Sequence, residues 1–131
     1  MKKRGILHAE LMKCIASLGH KDLFMIGDAG MPIPEGVKVI DLAVCGGVPL
    51  FRQVFDAVIE ETAIEYYYVA EETAVKNREL GTYIRQELPD IAYEEMSHED
   101  LKKKSAECRF AIRTGEFSPY ANVILRAGVV F

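Results

Sequence analysis

Leu23-Phe24-Met25-Ile26-Gly27-Asp28-Ala29-Gly30 is the stretch on which the fold turns. Its four apolar residues form a short continuous run, the pattern of a strand buried on both faces. The glycine turn stops that strand, and Pro32 and Pro34 forbid an immediate helix. Toward the N-terminus, Leu7, Leu11, Ile15 and Leu18 recur at helical spacing, and Gly19 offers a C-terminal cap. In the other direction, Val37 to Val44 reads as a second strand and Cys45-Gly46-Gly47 as a turn. Pro49 suits the first turn of a helix running to about Thr62. Tyr66 to Ala70 is a strand of aromatic and β-branched type, and a helix follows through Val75 to Leu88, closed by Pro89. Ile91 to Tyr93 is a short strand, and Ser97 with Asp100 starts a brief helix through Lys104 in the manner of a capping box. Phe110 to Ile112 and Val123 to Leu125 are the remaining strands. Strands alternating with helices predict one α/β domain over residues 1–131, three layers deep, with a mostly parallel or mixed central sheet. The chain ends on Val129-Val130-Phe131, an apolar terminus that would fray unless it forms an inner strand or packs on another subunit.

Composition narrows the function. A chain of 131 residues buries about two thirds of its unfolded surface and needs neither disulfides nor a structural metal to fold. Sixteen basic against twenty acidic residues gives a net charge of −4, which disfavours nucleic-acid and anionic-membrane partners. The runs Lys2-Lys3-Arg4 and Lys102-Lys103-Lys104 are short and read as solvated surface. No apolar run reaches the roughly 18–20 residues of a membrane span, and His8, Glu10 and Lys13 break up any signal-peptide core. Cys14, Cys45 and Cys108 are odd in number, form no CxxC pair, and read as small buried hydrophobes in a reducing cytoplasm. The three histidines lack metal spacing, and no GxSxG marks a serine hydrolase.

Several residues could carry chemistry. Gly27-Asp28-Ala29-Gly30 lacks the GxGxxG pattern and the following helix that a nucleotide loop needs. It leaves Asp28 at a strand end, the edge where open α/β sheets bind ligands; the competing reading is an Asx bond within its own turn. His20 precedes that strand, whereas Asp28 follows it. A four-residue strand spans only about 13 Å, so the flanking loops can curl toward each other. His98 follows the Ser97 cap, where the helix dipole favours a neutral imidazole able to act as a base or as a donor to sugar oxygens; a solvent-facing role competes. From Arg113 to Asn122 guanidinium, hydroxyl, carboxylate, phenol and amide groups crowd a loop around Gly115 and Pro119. That density of polar groups beside an aromatic ring suits a sugar site.

Across almost its whole length the chain resembles the ribose pyranase/L-fucose mutarotase family. The likeness rests on Gly5-Ile6-Leu7 after Met1-Lys2-Lys3, Leu18-Gly19-His20, Asp28-Ala29-Gly30 with Pro32 and Pro34, and Ser97-His98-Glu99. It continues through Arg113-Thr114-Gly115-Glu116, Pro119-Tyr120-Ala121-Asn122 and Ala127-Gly128-Val129. The fucose members differ in the last region, where Tyr-Gly-Asn replaces Tyr-Ala-Asn. Between Tyr66 and Tyr93 no family motif stands out. The resemblance implies a cytoplasmic isomerase that interconverts pyranose and furanose forms of D-ribose without cofactor or metal. It implies His20 as the proton donor and Asp28, His98, Tyr120 and Asn122 as sugar-binding positions. It also implies a ring of identical subunits, commonly a decamer, with sites between neighbours. Mutarotation of another sugar such as L-fucose is the alternative within the class, and a non-catalytic sugar-binding or regulatory subunit the alternative outside it.

Overall fold

The computed structural model describes residues 1–131, and alternation along its strands sets the layers. In β1 (Leu23–Gly27), Phe24 and Ile26 enter one apolar cluster while Met25 enters another on the opposite face. The same two-residue period divides Tyr67 and Val69 from Tyr68 and Ala70 in β3 (Ile64–Ala70), and Phe110 and Ile112 from Ala111 in β5 (Cys108–Arg113). It divides Val123 and Leu125 from Ile124 in β6 (Val123–Ala127). Side chains of successive strand residues point to opposite faces, so each strand feeds two cores. The first core holds 21 buried residues and is covered by α1 (Ala9–Ala16), α2 (Phe51–Glu61) and α4 (Arg78–Glu87). The second holds eight, under α5 (His98–Lys104), so the first face carries most of the burial that stabilises the domain.

With β2 (Lys38–Asp41) and β4 (Ala92–Met96) the sheet runs β2-β5-β1-β6-β3-β4. β1 is parallel to β5, β5 to β2 and β3 to β4, while β6 runs antiparallel to both of its neighbours. Five strands therefore point one way and β6 alone the other. This is the expected three-layer α/β domain with a mixed sheet. The carboxyl ends of the five and the start of β6 share one edge; the opposite edge gathers the starts of β1 and β3 with the end of β6.

Several local expectations change. The helix expected from Val75 to Leu88 is two: α3 (Glu71–Lys76) and α4 meet at Asn77, whose φ of −143° and ψ of 57° break the path. Asparagine competes with a helix by bonding elsewhere, and here Nδ2 donates to the Pro119 carbonyl at 2.8 Å and to Ser118 Oγ at 3.0 Å. The second strand stops at Asp41, and α2 begins at Phe51, two residues beyond Pro49. Cys14 and Cys108 are buried as expected, but Cys45 is exposed on a tight turn bridged to Val48. Val129-Val130-Phe131 joins no strand: Val130 is 90% exposed and Phe131 fully so, which excludes the inner-strand reading.

Candidate active site

Asp28 stands just past β1 with both carboxylate oxygens engaged. Oδ1 accepts from Gly30 N–H at 2.9 Å, the Asx bond expected of the turn, and Oδ2 accepts from Asn122 Nδ2 at 2.9 Å. Asn122 returns the contact, its Oδ1 accepting from Asp28 N–H at 2.9 Å. The Asn122 side chain is buried, and its amide holds Asp28 at both its carboxylate and its backbone N–H. Gly27 permits this approach, since a Cβ there would lie 3.0 Å from Asn122 Oδ1 and 3.1 Å from Met31 Cβ.

Tyr120 has φ +55°, a left-handed conformation that costs a non-glycine residue about 1–3 kcal/mol unless its surroundings impose it. They do. Buried Thr73 donates through Oγ1 to the Tyr120 carbonyl at 2.9 Å, and Asn77 grips the residue before it. The Tyr120 ring meets His98 edge to face, centroids 5.0 Å apart and planes at 82°. His98 begins α5 behind the Ser97 cap, its backbone N–H donating to Glu72, while its Nδ1 is buried without a protein partner. A polar atom in that condition is costly unless something bonds it, so it is a natural contact for a ligand.

The rest of the loop from Arg113 to Asn122 is tied down by bonds to its neighbours. Arg113 bonds Asp41 through Nη1 and the Ala29 carbonyl through Nε, while Thr114 Oγ1 donates to the Gly27 carbonyl. Glu116 accepts from Phe51 N–H at 3.0 Å and Ser118 N–H at 3.2 Å. Burial pushes the Glu116 carboxyl up, but those bonds, with the Arg52 charge, outweigh it and hold the group below the ordinary carboxylate range. Gly115 is obligatory, because a Cβ would fall 2.5 Å from the carbonyl oxygens of Cys45 and Val48. These bonds wall an open cleft of about 470 Å³ lined by Asp28, Gly30, Arg113, Phe117 and Pro119. A larger concavity of about 730 Å³ lies over α4, among Arg52, Arg78 and Arg85, and contains none of the expected site residues.

His20 is elsewhere. It lies in the turn before β1, closed by Asp22 N–H donating to the Gly19 carbonyl, with Lys21 at φ +71°. β1 separates it from Asp28 by about 16 Å of extended chain, and the loops do not curl back to join them. Its ring instead meets Glu65, Nε2 to Oε2 at 2.9 Å, and Glu65 Oε1 pairs with Arg126 Nε at 2.9 Å. The His20 side chain is 49% exposed. Within one chain, then, Asp28, His98, Tyr120 and Asn122 share one edge of the sheet and His20 occupies the other. The sequence reading passed over Glu65, Arg126, Thr73 and Glu72. Of these only Thr73 carried a hint, as a hydroxyl about one turn before the asparagine that ends its helix.

The chemistry available is of two kinds. The cleft edge offers anionic and neutral polar groups beside an aromatic ring, which suits polyhydroxylated ligands. The other edge offers an exposed imidazole braced by a carboxylate, which suits proton transfer near neutral pH. No three His, Cys, Asp or Glu side chains gather in a metal-binding group.

Residues 1–130 match the model of the RbsD / FucU transport protein family. The chain is 44% identical to the D-ribose pyranase of Lactiplantibacillus plantarum and 49% identical to that of Bacillus cereus strain G9842, each over 131 residues and the whole of both chains. It superposes on Bacillus subtilis RbsD complexed with D-ribose at a TM-score of 0.96, 43% identical over all of both chains. The fucose mutarotase of Streptococcus pneumoniae, solved with L-fucose, is more distant: TM-score 0.74 and 26% identity over 95% of each chain.

Proposed function

The chain belongs to the RbsD / FucU family, and on that footing we propose that it is an isomerase interconverting the pyranose and furanose forms of D-ribose. The observation that carries this reading is full-length identity of 44–49% to D-ribose pyranases, together with the 0.96 superposition on a ribose-bound protein. Leaving the pyranose requires a proton on the ring oxygen O5 and loss of one from the anomeric hydroxyl, which frees an aldehyde. Rotation brings O4 to that carbonyl, and closure reverses the two transfers to give the furanose. An imidazole with an ordinary pKa of about 6.5 can give and take protons in both halves. His20 fills that role, with His98, Tyr120 and Asp28 holding the sugar hydroxyls and Asn122 holding Asp28. Neutral and single-point contacts suit a substrate that must turn while bound.

The reaction is tested by saturation transfer between ribose anomeric signals, repeated over pentoses and hexoses including L-fucose. Faster pyranose–furanose exchange of ribose at catalytic protein concentration is expected. Acceleration confined to L-fucose would sink the ribose assignment, and sugar binding without acceleration would leave a binding protein.

Because His20 and the cleft lie at opposite edges, a complete site needs two copies. Apolar side chains support this at both ends: exposed Phe117, Val44 and Leu50 flank the cleft, and Val129-Val130-Phe131 leaves from the His20 edge. One end of each copy docking on the other end of the next is a heterologous contact, which makes a ring when the rotation between copies closes. A ring of such subunits, the decamer of the resemblance included, is the assembly proposed. No helix is long and apolar enough to cross a membrane, and the three unpaired cysteines suit a cytoplasmic protein. Light scattering should return a mass several times 14.7 kDa. Removing Val129-Val130-Phe131 should lower both the mass and the exchange rate. A monomeric full-length protein with full activity would overturn the shared site.

A further inference from the structure

We propose that Glu65 is a positioning residue for His20, fixing the ring through Nε2 so that Nδ1 is the nitrogen that trades a proton with the sugar. This rests on the isomerase reading above. Glu65 is the extra residue of a β-bulge: Ile64 pairs with Ala127 and Tyr66 with Arg126, leaving Glu65 unmatched in the β3–β6 ladder. Bulges re-aim the side chain they carry, and this one sends a carboxylate to the turn that bears His20. Gly128 makes room, since a Cβ there would lie 3.1 Å from Glu65 Cβ and 3.5 Å from Glu65 N.

The carboxylate is held from both sides. Oε1 lies 2.9 Å from Arg126 Nε in an ion pair that lacks hydrogen-bond alignment, and the Arg126 guanidinium lies 4.6 Å from the centre of the Tyr66 ring, while Oε2 meets the histidine. The hydrogen bond from His20, assisted by the Arg126 charge, holds the Glu65 carboxyl below the ordinary carboxylate range despite partial burial. At neutral pH Glu65 is therefore an acceptor only, and His20 Nε2 must carry the hydrogen. A neutral imidazole with that tautomer exposes a bare Nδ1, and protonation adds the transferable proton there. The other charges about this turn are Lys21 on the turn itself and the Asp22–Arg109 pair, 3.1 Å apart, from the turn and β5. None of these hydrogen-bonds the imidazole, so the tautomer rests on Glu65.

The test uses the full-length, assembled protein. Nitrogen-15 NMR of the imidazoles should show wild-type His20 protonated at Nε2 and bare at Nδ1 once neutral. Glu65→Gln removes the charge and can turn either its oxygen or its NH₂ to the ring, and should mix the tautomers and lower kcat for ribose exchange while KM moves less than about threefold. Partners on the second nitrogen of metal-bound histidines are worth about 10–100-fold, and a loss toward the lower end is expected. Glu65→Asp keeps the charge but retracts it by one methylene, and should fall between the two. Three results overturn the proposal: wild-type His20 with its proton on Nδ1, Glu65→Gln at the wild-type kcat, or a rate loss with the tautomer unchanged. If Glu65→Gln fails to assemble, the wild-type tautomer alone decides. His20→Ala at the wild-type rate would instead remove His20 from the reaction, a separate failure of the reading beneath.

Discussion

Replacing His20 with alanine is expected to lower accelerated pyranose–furanose exchange by about 10²–10⁴-fold, equivalent to roughly 3–5 kcal/mol of barrier. The size follows from losing one general acid–base catalyst. The specificity follows from geometry. His20 is half exposed on a turn, buried in neither core, so its removal leaves the fold intact. The turn's own bonds, Asp22 N–H to the Gly19 carbonyl and Lys21 N–H to the Ala127 carbonyl, do not involve the imidazole. Particle mass should therefore be unchanged, and ribose affinity measured by calorimetry should fall far less than the rate, because the cleft contacts remain. His20→Gln should be nearly as slow, since an amide bonds but does not shuttle protons. Wild-type exchange in either variant would shift proton transfer to His98. Equal losses of affinity and rate would make His20 a contact and nothing more.

Asp28→Asn should damage both stability and binding, although the two side chains differ little in volume. Each oxygen of Asp28 faces an N–H donor, from Gly30 and from Asn122. Asparagine has one acceptor to offer, so its NH₂ must confront one of those donors. Rotating Asn122 gives no relief, because its Oδ1 is needed by Asp28 N–H. An unmet donor at a partly buried position costs about 1–3 kcal/mol. A fall of several degrees in Tm is expected at fixed protomer concentration. Ribose affinity of the folded protein should drop about tenfold or more, since 1.4 kcal/mol is tenfold. Lower Tm with unchanged affinity would make Asp28 a turn residue only; unchanged values of both would make its charge dispensable.

The strands were legible because each is a short apolar run ended by glycine or proline, and the alternation that divides Phe24 and Ile26 from Met25 needs no long-range information. Asp28 at the sheet edge was legible from the order strand, glycine, acid. That His98 and Tyr120 touch was not, for residues 99–119 and with them β5 intervene, and only the antiparallel return of β6 brings them together. Asn122 has the right neighbourhood, but burial turns its amide inward to Asp28. Glu65 was invisible because a charged residue at the start of a strand reads as solvated, and a bulge has no sequence pattern of its own here. The expectation that His20 and Asp28 approach each other failed because β1, bonded on both sides, cannot bend to close the gap.

That separation has a consequence for heredity. In the proposed ring, each subunit lends its histidine to one neighbour and receives another's at its own cleft. A lesion at His20 and a lesion at Asp28 thus disable different sites of the same assembly. Two alleles, one carrying each defect, would be inactive apart, yet their co-expressed products would build some sites from two sound halves. With random mixing in equal amounts, about one site in four would join an intact histidine to an intact cleft. Were both residues at one edge of the sheet, no mixture of the two mutant chains could restore activity.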